Sequence, residues 1–261
     1  MSTAGAGTRE RLPILFQDEF LAIVDKPSGL LVHRSPIDRH ERRFAVQLLR
    51  DQLGRRVYPV HRLDKGTSGV LVFALDRETA RALADDFARQ QVRKTYLAIV
   101  RGWLAESGLI DHPLEAIEDS MIAPGPAGPK AAVTRFRTLA TAELPHRVDR
   151  YATSRYALVE LEPETGRRHQ LRRHLAHVSH PIIGDSTYGK GRHNRLFAGL
   201  FGIQRLLLAC VRLGFTHPAT GEPLVIETTP GADFAAVLRQ LGWSWPGAAA
   251  RVSSTSPSPS P

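Results

Sequence analysis

A loop of small and charged residues, Val60-His61-Arg62-Leu63-Asp64-Lys65-Gly66-Thr67-Ser68-Gly69, runs directly into the unbroken apolar segment Val70-Leu71-Val72-Phe73-Ala74-Leu75. An apolar run of that length bounded by turn formers reads as a buried strand. A loop anchored on such a strand is a rigid place to hold one reactive group. Asp64, a carboxylate between two basic residues, is the group we single out. On spacing alone Asp64 is equally a turn former, its side chain bonding the backbone N–H groups that follow, because Asp ahead of Gly-Thr-Ser-Gly is common turn chemistry.

The rest of the chain alternates short apolar runs with turn signals. Folded structure is expected to begin near Ile14, with strands at residues 20–24, 95–100, 156–161, 206–215 and 224–228. Lys26-Pro27-Ser28-Gly29 and Pro218-Ala219-Thr220-Gly221 read as turns. Helical spacing covers residues 41–53, where Gly54 is placed to cap the C-terminus. Asp76 is a good N-cap for a second helix whose Ala80, Leu83, Ala84, Phe87 and Ala88 share a face. Leu171, Leu175 and Val178 give a short third helix its apolar face, and Phe234, Val237, Leu238 and Leu241 a final one. Residues 111–150, rich in Pro and Gly, read as a connector with one strand at 131–139. Many strands with few βαβ units predict an α+β fold with a mixed or antiparallel sheet.

A chain of 261 residues that is 42% hydrophobic can bury a substantial core. No apolar run approaches the ~20 residues of a membrane span, and the N-terminus has no secretory apolar region. The single cysteine, Cys210, cannot form an internal disulfide, which suits a reducing cytoplasm. The net charge of +9 favours a polyanionic partner, since clustered Lys and Arg supply most non-specific affinity for nucleic acid; it does not separate RNA from DNA. Residues 1–11 and the Pro/Ser-rich 247–261 are expected to be disordered tails around one catalytic domain, 12–246.

His61-Arg62-Leu63-Asp64 with Thr67-Ser68-Gly69 resembles the catalytic motif of the RluA-type pseudouridine synthases, whose Asp is essential. Three further segments resemble the same family in the same order: Ile23-Val24-Asp25-Lys26-Pro27-Ser28-Gly29-Leu30-Leu31-Val32-His33, Lys94-Thr95-Tyr96-Leu97-Ala98, and Glu162-Pro163-Glu164-Thr165-Gly166-Arg167-Arg168-His169-Gln170-Leu171-Arg172 followed by His180-Pro181-Ile182-Ile183-Gly184-Asp185. Leu31-Val32-His33-Arg34-Ser35 with Asp38-Arg39, and Val100-Arg101-Gly102-Trp103-Leu104, resemble the branch that modifies tRNA.

The resemblance implies a curved mixed sheet in two merged halves with a basic cleft across its middle. It implies isomerisation of uridine to pseudouridine in RNA, at uridine 65 in the T-stem region of tRNA, by a cytoplasmic enzyme. Uracil leaves C1′ of the ribose, turns, and rejoins through C5 with no net redox change, so neither metal nor organic cofactor is called for. Asp64 either attacks as a nucleophile or takes a sugar proton, and the sequence does not choose. Arg172 is its implied partner. Tyr96 is implied in the site, and because an unperturbed phenol is a poor base at neutral pH we read it as stacking on the base. The target nucleotide must be flipped out, which Arg62 is placed to support. His61, Lys94, Arg167, Arg168 and Arg173 are expected RNA contacts. His169, His174, His177 and His180 have no carboxylate or Cys to complete a metal site and read as packing residues or RNA contacts. One residue departs from the family pattern: Ala209 stands where a His usually follows the Leu-Leu-Leu run. Ribosomal RNA as substrate, and an RNA-binding or chaperone protein without catalysis, are the competing readings; a metal-dependent nuclease would show chelator-sensitive cleavage. No protein partner is expected and the chain is read as a monomer.

Overall fold

Strand-forming runs dominate the chain, and among the described residues eleven of them join one mixed sheet flanked by five helices. The computed structural model describes residues 10–34, 40–117, 128–245 and 251–254. In chain order the elements are β1 Ile14–Gln17, β2 Leu21–Lys26, α1 Ala45–Leu53, β3 Tyr58–Pro59, β4 Ser68–Ala74, α2 Arg77–Ala88, β5 Arg93–Arg101, β6 Ser107–Asp111, β7 Val133–Leu144, β8 Ser154–Pro163, α3 Gln170–His177, α4 Gly191–Phe201, β9 Leu208–Thr216, β10 Pro223–Glu227, α5 Ala232–Gln240 and β11 Arg251–Ser254.

The sheet order is β1-β2-β4-β9-β5-β8-β7-β6, with β3 on β4, and β10 pairing with both β9 and β11. Among the described strands only β4 and β9 pair in parallel, through Ser68 with Ala209 and Gly69 with Cys210; the remaining described strand pairs are antiparallel. On its other edge β9 lies against β5, where the register shifts between Thr95 and Tyr96. The start of β4, the start of β9 and Tyr96 therefore meet at the centre of the sheet.

Both faces of this centre are covered, which is why its strands read as continuous apolar runs rather than as alternation. Leu97, Ile99, Tyr156, Leu158 and Ala209 pack on one side against Phe197 of α4 and Phe234, Val237 and Leu238 of α5. Ala98, Val100, Ala157, Val159 and Leu161 pack on the other against Leu171 and Leu175 of α3. A third cluster joins β2 and β4 to Leu49 of α1 and Leu83 of α2.

The predicted helix over 41–53 starts only at Ala45, because Leu31 forms a parallel bridge with Phe44 and holds it extended; Gly54 caps the far end with a left-handed φ of 66°. Asp76 caps α2 by accepting from the Thr79 N–H. The expected connector carries more structure than one short strand. β7 runs on to Leu144, and β6 pairs along it. These strands are half exposed, so their apolar signal is weak in sequence. α4 has no counterpart among the helices expected from sequence: its first half, Gly191-Arg192-His193-Asn194-Arg195, is polar, and it fully buries only His193 and Phe197. Four residues of the expected disordered tail form β11 on the edge of β10. An open edge offers unpaired N–H and C=O groups, so a strand can add there without an apolar core. Residues 1–9, 255–261 and 118–127, with Ser35, Asp38 and Arg39, lie outside the described residues. Among the described residues no helix is long and apolar enough to cross a membrane.

Candidate active site

The loop ahead of β4 is held from below by the end of β2. Lys26 is fully buried, and its Nζ donates to the carbonyls of Leu30 at 2.7 Å, Pro27 at 2.9 Å and Lys65 at 3.4 Å. Burial pushes its pKa down to about 7. The Gly29 N–H donates to the Lys65 carbonyl at 2.7 Å, and the Ser28 hydroxyl to the Gly66 carbonyl at 2.7 Å. On the other flank the Val72 N–H donates to His61 Nε2 at 3.0 Å, while the His61 ring stacks on Phe87 at 4.6 Å. Burial drives the His61 pKa down to about 3, which keeps the ring neutral and able to accept.

Within this frame the Asp64 main-chain carbonyl closes the turn by accepting from the Thr67 N–H at 3.0 Å. Its side chain points elsewhere. Asp64 Oδ2 accepts from Arg172 Nη1 at 3.2 Å, and Oδ1 lies 3.8 Å from His169 Nε2. The two readings left open by the spacing are thus separated: the backbone makes the turn and the carboxylate meets a guanidinium.

Arg172 projects from the buried face of α3 and is itself clamped. Its Nε donates to Asp185 Oδ2 at 2.7 Å and its Nη2 to Asp185 Oδ1 at 2.8 Å, so Nη1 is the nitrogen turned to Asp64. The Tyr188 ring lies 5.1 Å from the guanidinium carbon. Burial opposes the Arg172 charge, but Asp185 and then Asp64 outweigh it and raise the pKa. Burial likewise works against the Asp185 charge; hydrogen bonds from Arg172 and from the Thr187 and Tyr188 N–H groups hold that carboxylate below its ordinary value. His169 adopts φ 56° as the residue ahead of α3, and its Nδ1 bonds the Tyr188 hydroxyl at 3.0 Å. Burial keeps the His169 pKa low despite Asp64.

Tyr96 lies in β5 opposite Cys210 and hydrogen-bonds to it. Burial, then the Cys210 and Asp64 charges, raise its pKa well above that of a free phenol, so the ring stays neutral and is unsuited to act as a base. Burial also pushes the Cys210 thiol up to about 12. Gly69 is required here: its φ is 109°, and a Cβ would lie 2.0 Å from the Cys210 carbonyl oxygen.

The structure brings Asp64, Arg172 and Tyr96 together. Lys94 is half-buried in β5, its pKa lowered by burial. Arg62 and Arg167 are exposed, with Arg167 Nε bonded to the Ala131 carbonyl; Arg168 is half-buried, and Arg173 Nη1 donates to the Glu115 carbonyl. His61 has one ring nitrogen and one ring face engaged by the fold. His174 is buried on Thr134 and the His112 carbonyl, and His180 bonds the Arg101 carbonyl. Among the described residues no group of three or more His, Cys, Asp or Glu side chains could hold a metal ion. Ala209 is fully buried in the cluster beneath α4 and α5, which Tyr96 does not join.

Asp185, Tyr188 and Lys26 are the residues that motif reading left without a role. The Gly184-Asp185 pair was visible in the third matching segment. Tyr188 carried no signal, because its part depends on where the turn after Asp185 sets its ring.

The sheet thus carries a carboxylate held by a clamped guanidinium beside a neutral buried tyrosine. The family model described as RNA pseudouridylate synthase matches residues 21–177, and the chain belongs to that family, whose members are isomerases. Among curated proteins, the tRNA pseudouridine synthase C of Vibrio cholerae is 49% identical over 235 residues, covering 89% of this chain and 96% of that protein. The tRNA pseudouridine synthase C of Salmonella typhi is 50% identical, covering 89% and 90%. Among solved structures, Human RNA Pseudouridylate Synthase Domain Containing 4 is 27% identical with a TM-score of 0.65, covering 90% of this chain and 94% of its own.

Proposed function

We propose that this pseudouridine synthase acts in the cytoplasm on tRNA, converting uridine 65 in the T-stem region, and that Asp64 performs the bond-breaking step. The observation that carries the assignment to Asp64 is the 3.2 Å contact from Arg172 Nη1 to its carboxylate, with the rest of the guanidinium fixed on Asp185. That contact fixes where the carboxylate sits and sets a guanidinium charge beside it. The tRNA assignment is supported by the names of relatives that are close to half identical over most of both chains.

In the reaction the N1–C1′ bond breaks, a C5–C1′ bond forms, C5 loses its proton and N1 gains one. Asp64 serves either by attacking C1′ or by taking the C2′ proton, and both routes need it ionised. Tyr96 packs against the uracil while it turns. Arg62 supports eversion of the nucleotide, and Arg167, Arg168, Arg173 and Lys94 contact the RNA backbone. Residues 12–246, with β11 added to their sheet, form the catalytic domain, and the chain works as a monomer without a protein partner.

Asp64→Asn tests the assignment. The variant should bind tRNA as the unmodified protein does and form pseudouridine at least ~10³-fold more slowly. Normal turnover by this variant would remove Asp64 from the chemistry. Carbodiimide mapping of pseudouridines in a strain lacking the gene tests the substrate: the missing site should be in tRNA, and loss confined to ribosomal RNA would replace tRNA with ribosomal RNA.

A further inference from the structure

Beside α3, walled in part by Tyr188, lies a cavity of about 520 Å³ that the reaction as described does not use. It is lined by Leu114, Glu115, Arg173, His112, His177 and Tyr188, together with two prolines. We infer that this cavity receives the nucleotide adjoining the everted uridine, its base against the histidine pair and Leu114 and its phosphate on Arg173.

Three observations carry this. First, the cavity is linked to the Asp64–Arg172 cluster through one of its wall residues, Tyr188. Tyr188 forms part of its wall, bonds His169 through its hydroxyl, and lies over the Arg172 guanidinium; His169 reaches to within 3.8 Å of Asp64. A nucleotide joined to one lying on Asp64 is the natural occupant of the next recess. Asp64 does not line the cavity, so it cannot be the seat of the reacting uridine itself.

Second, the wall is built to stack. The His112 and His177 rings lie face to face, 3.6 Å between centroids and 12° from parallel. Imidazole, like the larger aromatic rings, is a surface on which unpaired RNA bases stack. The main chain fixes this pair: the His112 carbonyl accepts from the His174 ring, which is buried and also bonded to Thr134, so both elements bearing the pair are pinned.

Third, the charges suit one nucleotide. Arg173 spends one N–H on the Glu115 carbonyl at 2.8 Å, which leaves further donors on a guanidinium already set in place. The Glu115 side chain stands on the same rim. It would repel a phosphate placed on it but would accept a hydrogen bond from a ribose 2′-hydroxyl, which orients the nucleotide with its phosphate toward Arg173.

The inference rests on the enzyme acting on RNA at Asp64, and the test separates the two. Synthetic T-arm stem-loops are prepared intact, with an abasic residue on the 5′ or the 3′ side of the target uridine, and with a neutral methylphosphonate at each flanking linkage. Binding and single-turnover pseudouridine formation are measured with the unmodified enzyme, His177→Ala and Arg173→Gln. His177 is exposed, so its truncation leaves the fold intact. One abasic position should weaken binding about 10-fold, within the range of stacking on an aromatic side chain. His177→Ala should weaken the intact RNA comparably, and the two changes together should lose little more than either alone. Arg173→Gln should behave in the same way with one methylphosphonate. Losses that multiply, or an abasic RNA bound as well as the intact one, would overturn the inference. Pseudouridine formed without such coupling removes only the subsite; coupling without any pseudouridine removes only the assigned reaction.

Discussion

Arg172 is useful to Asp64 because Asp185 has already decided which of its nitrogens is available. Asp185 Oδ1 accepts from Arg172, from the Thr187 N–H and from the Tyr188 N–H, and the residue is buried, so the clamp has little freedom to move. Asp185→Asn keeps the shape but turns one acceptor into a donor facing the guanidinium. Such a loss from a buried pair costs about 3 kcal/mol, and a misplaced guanidinium should slow the chemical step about 100-fold. Single-turnover rates and urea titrations should show both effects, with tRNA affinity unchanged; a variant that turns over normally would mean that Asp185 serves stability alone. His61 makes a separate prediction. Its pKa falls from the ordinary 6.5 to about 3 on folding, so between those values the unfolded chain binds a proton that the folded chain does not. Stability is therefore lost as pH drops from 6.5 toward 3. His61→Phe should abolish that share of the acid sensitivity. It should also cost about 1–3 kcal/mol at neutral pH by leaving the buried Val72 N–H without its acceptor, as unfolding curves across pH would record.

At the scale of elements, the short parallel contact between β4 and β9 brings the Asp64 loop into register with Tyr96. Gly69 makes it possible, since with any side chain the two strands could not approach at Cys210. Gly69→Ala should destabilise by more than ~1 kcal/mol from its positive φ alone, with the clash added. A melting temperature equal to that of the unmodified protein would show that the strands separate at no cost. Long strands buried on both faces, such as β4, β5, β8 and β9, were legible as apolar runs, and α2 was legible through Asp76. β6, the far end of β7, α4 and β11 were not. The strands' partners cover only part of them or supply only main-chain bonds, so selection for apolar side chains is weak there, and α4 opens on a polar stretch that masks its apolar second half.

For the whole molecule, a net charge of +9 on a chain that must handle a polyanion predicts salt-sensitive binding. If Arg62, Arg167, Arg168 and Arg173 each meet one phosphate, the logarithm of tRNA affinity should fall against the logarithm of salt with a slope of roughly −3 to −4. Replacing any one of them should reduce the slope by about 1. A slope near zero would place the tRNA on other chemistry. By itself the sequence determined the class of fold and the family, and it singled out Asp64 as the carboxylate proposed to react, because these readings depend on residue types at short, fixed spacings. It also put Arg172 and Tyr96 in the site. Tertiary structure alone decided that Asp185 aims Arg172, that Lys26 props the Asp64 loop, that His61 is a strut within the fold, and that Tyr188 both lies against Arg172 and walls the cavity beside α3. Those roles arise from side chains brought together across distant parts of the chain, where the direction of a hydrogen bond or the burial of a ring is fixed only once the sheet has closed.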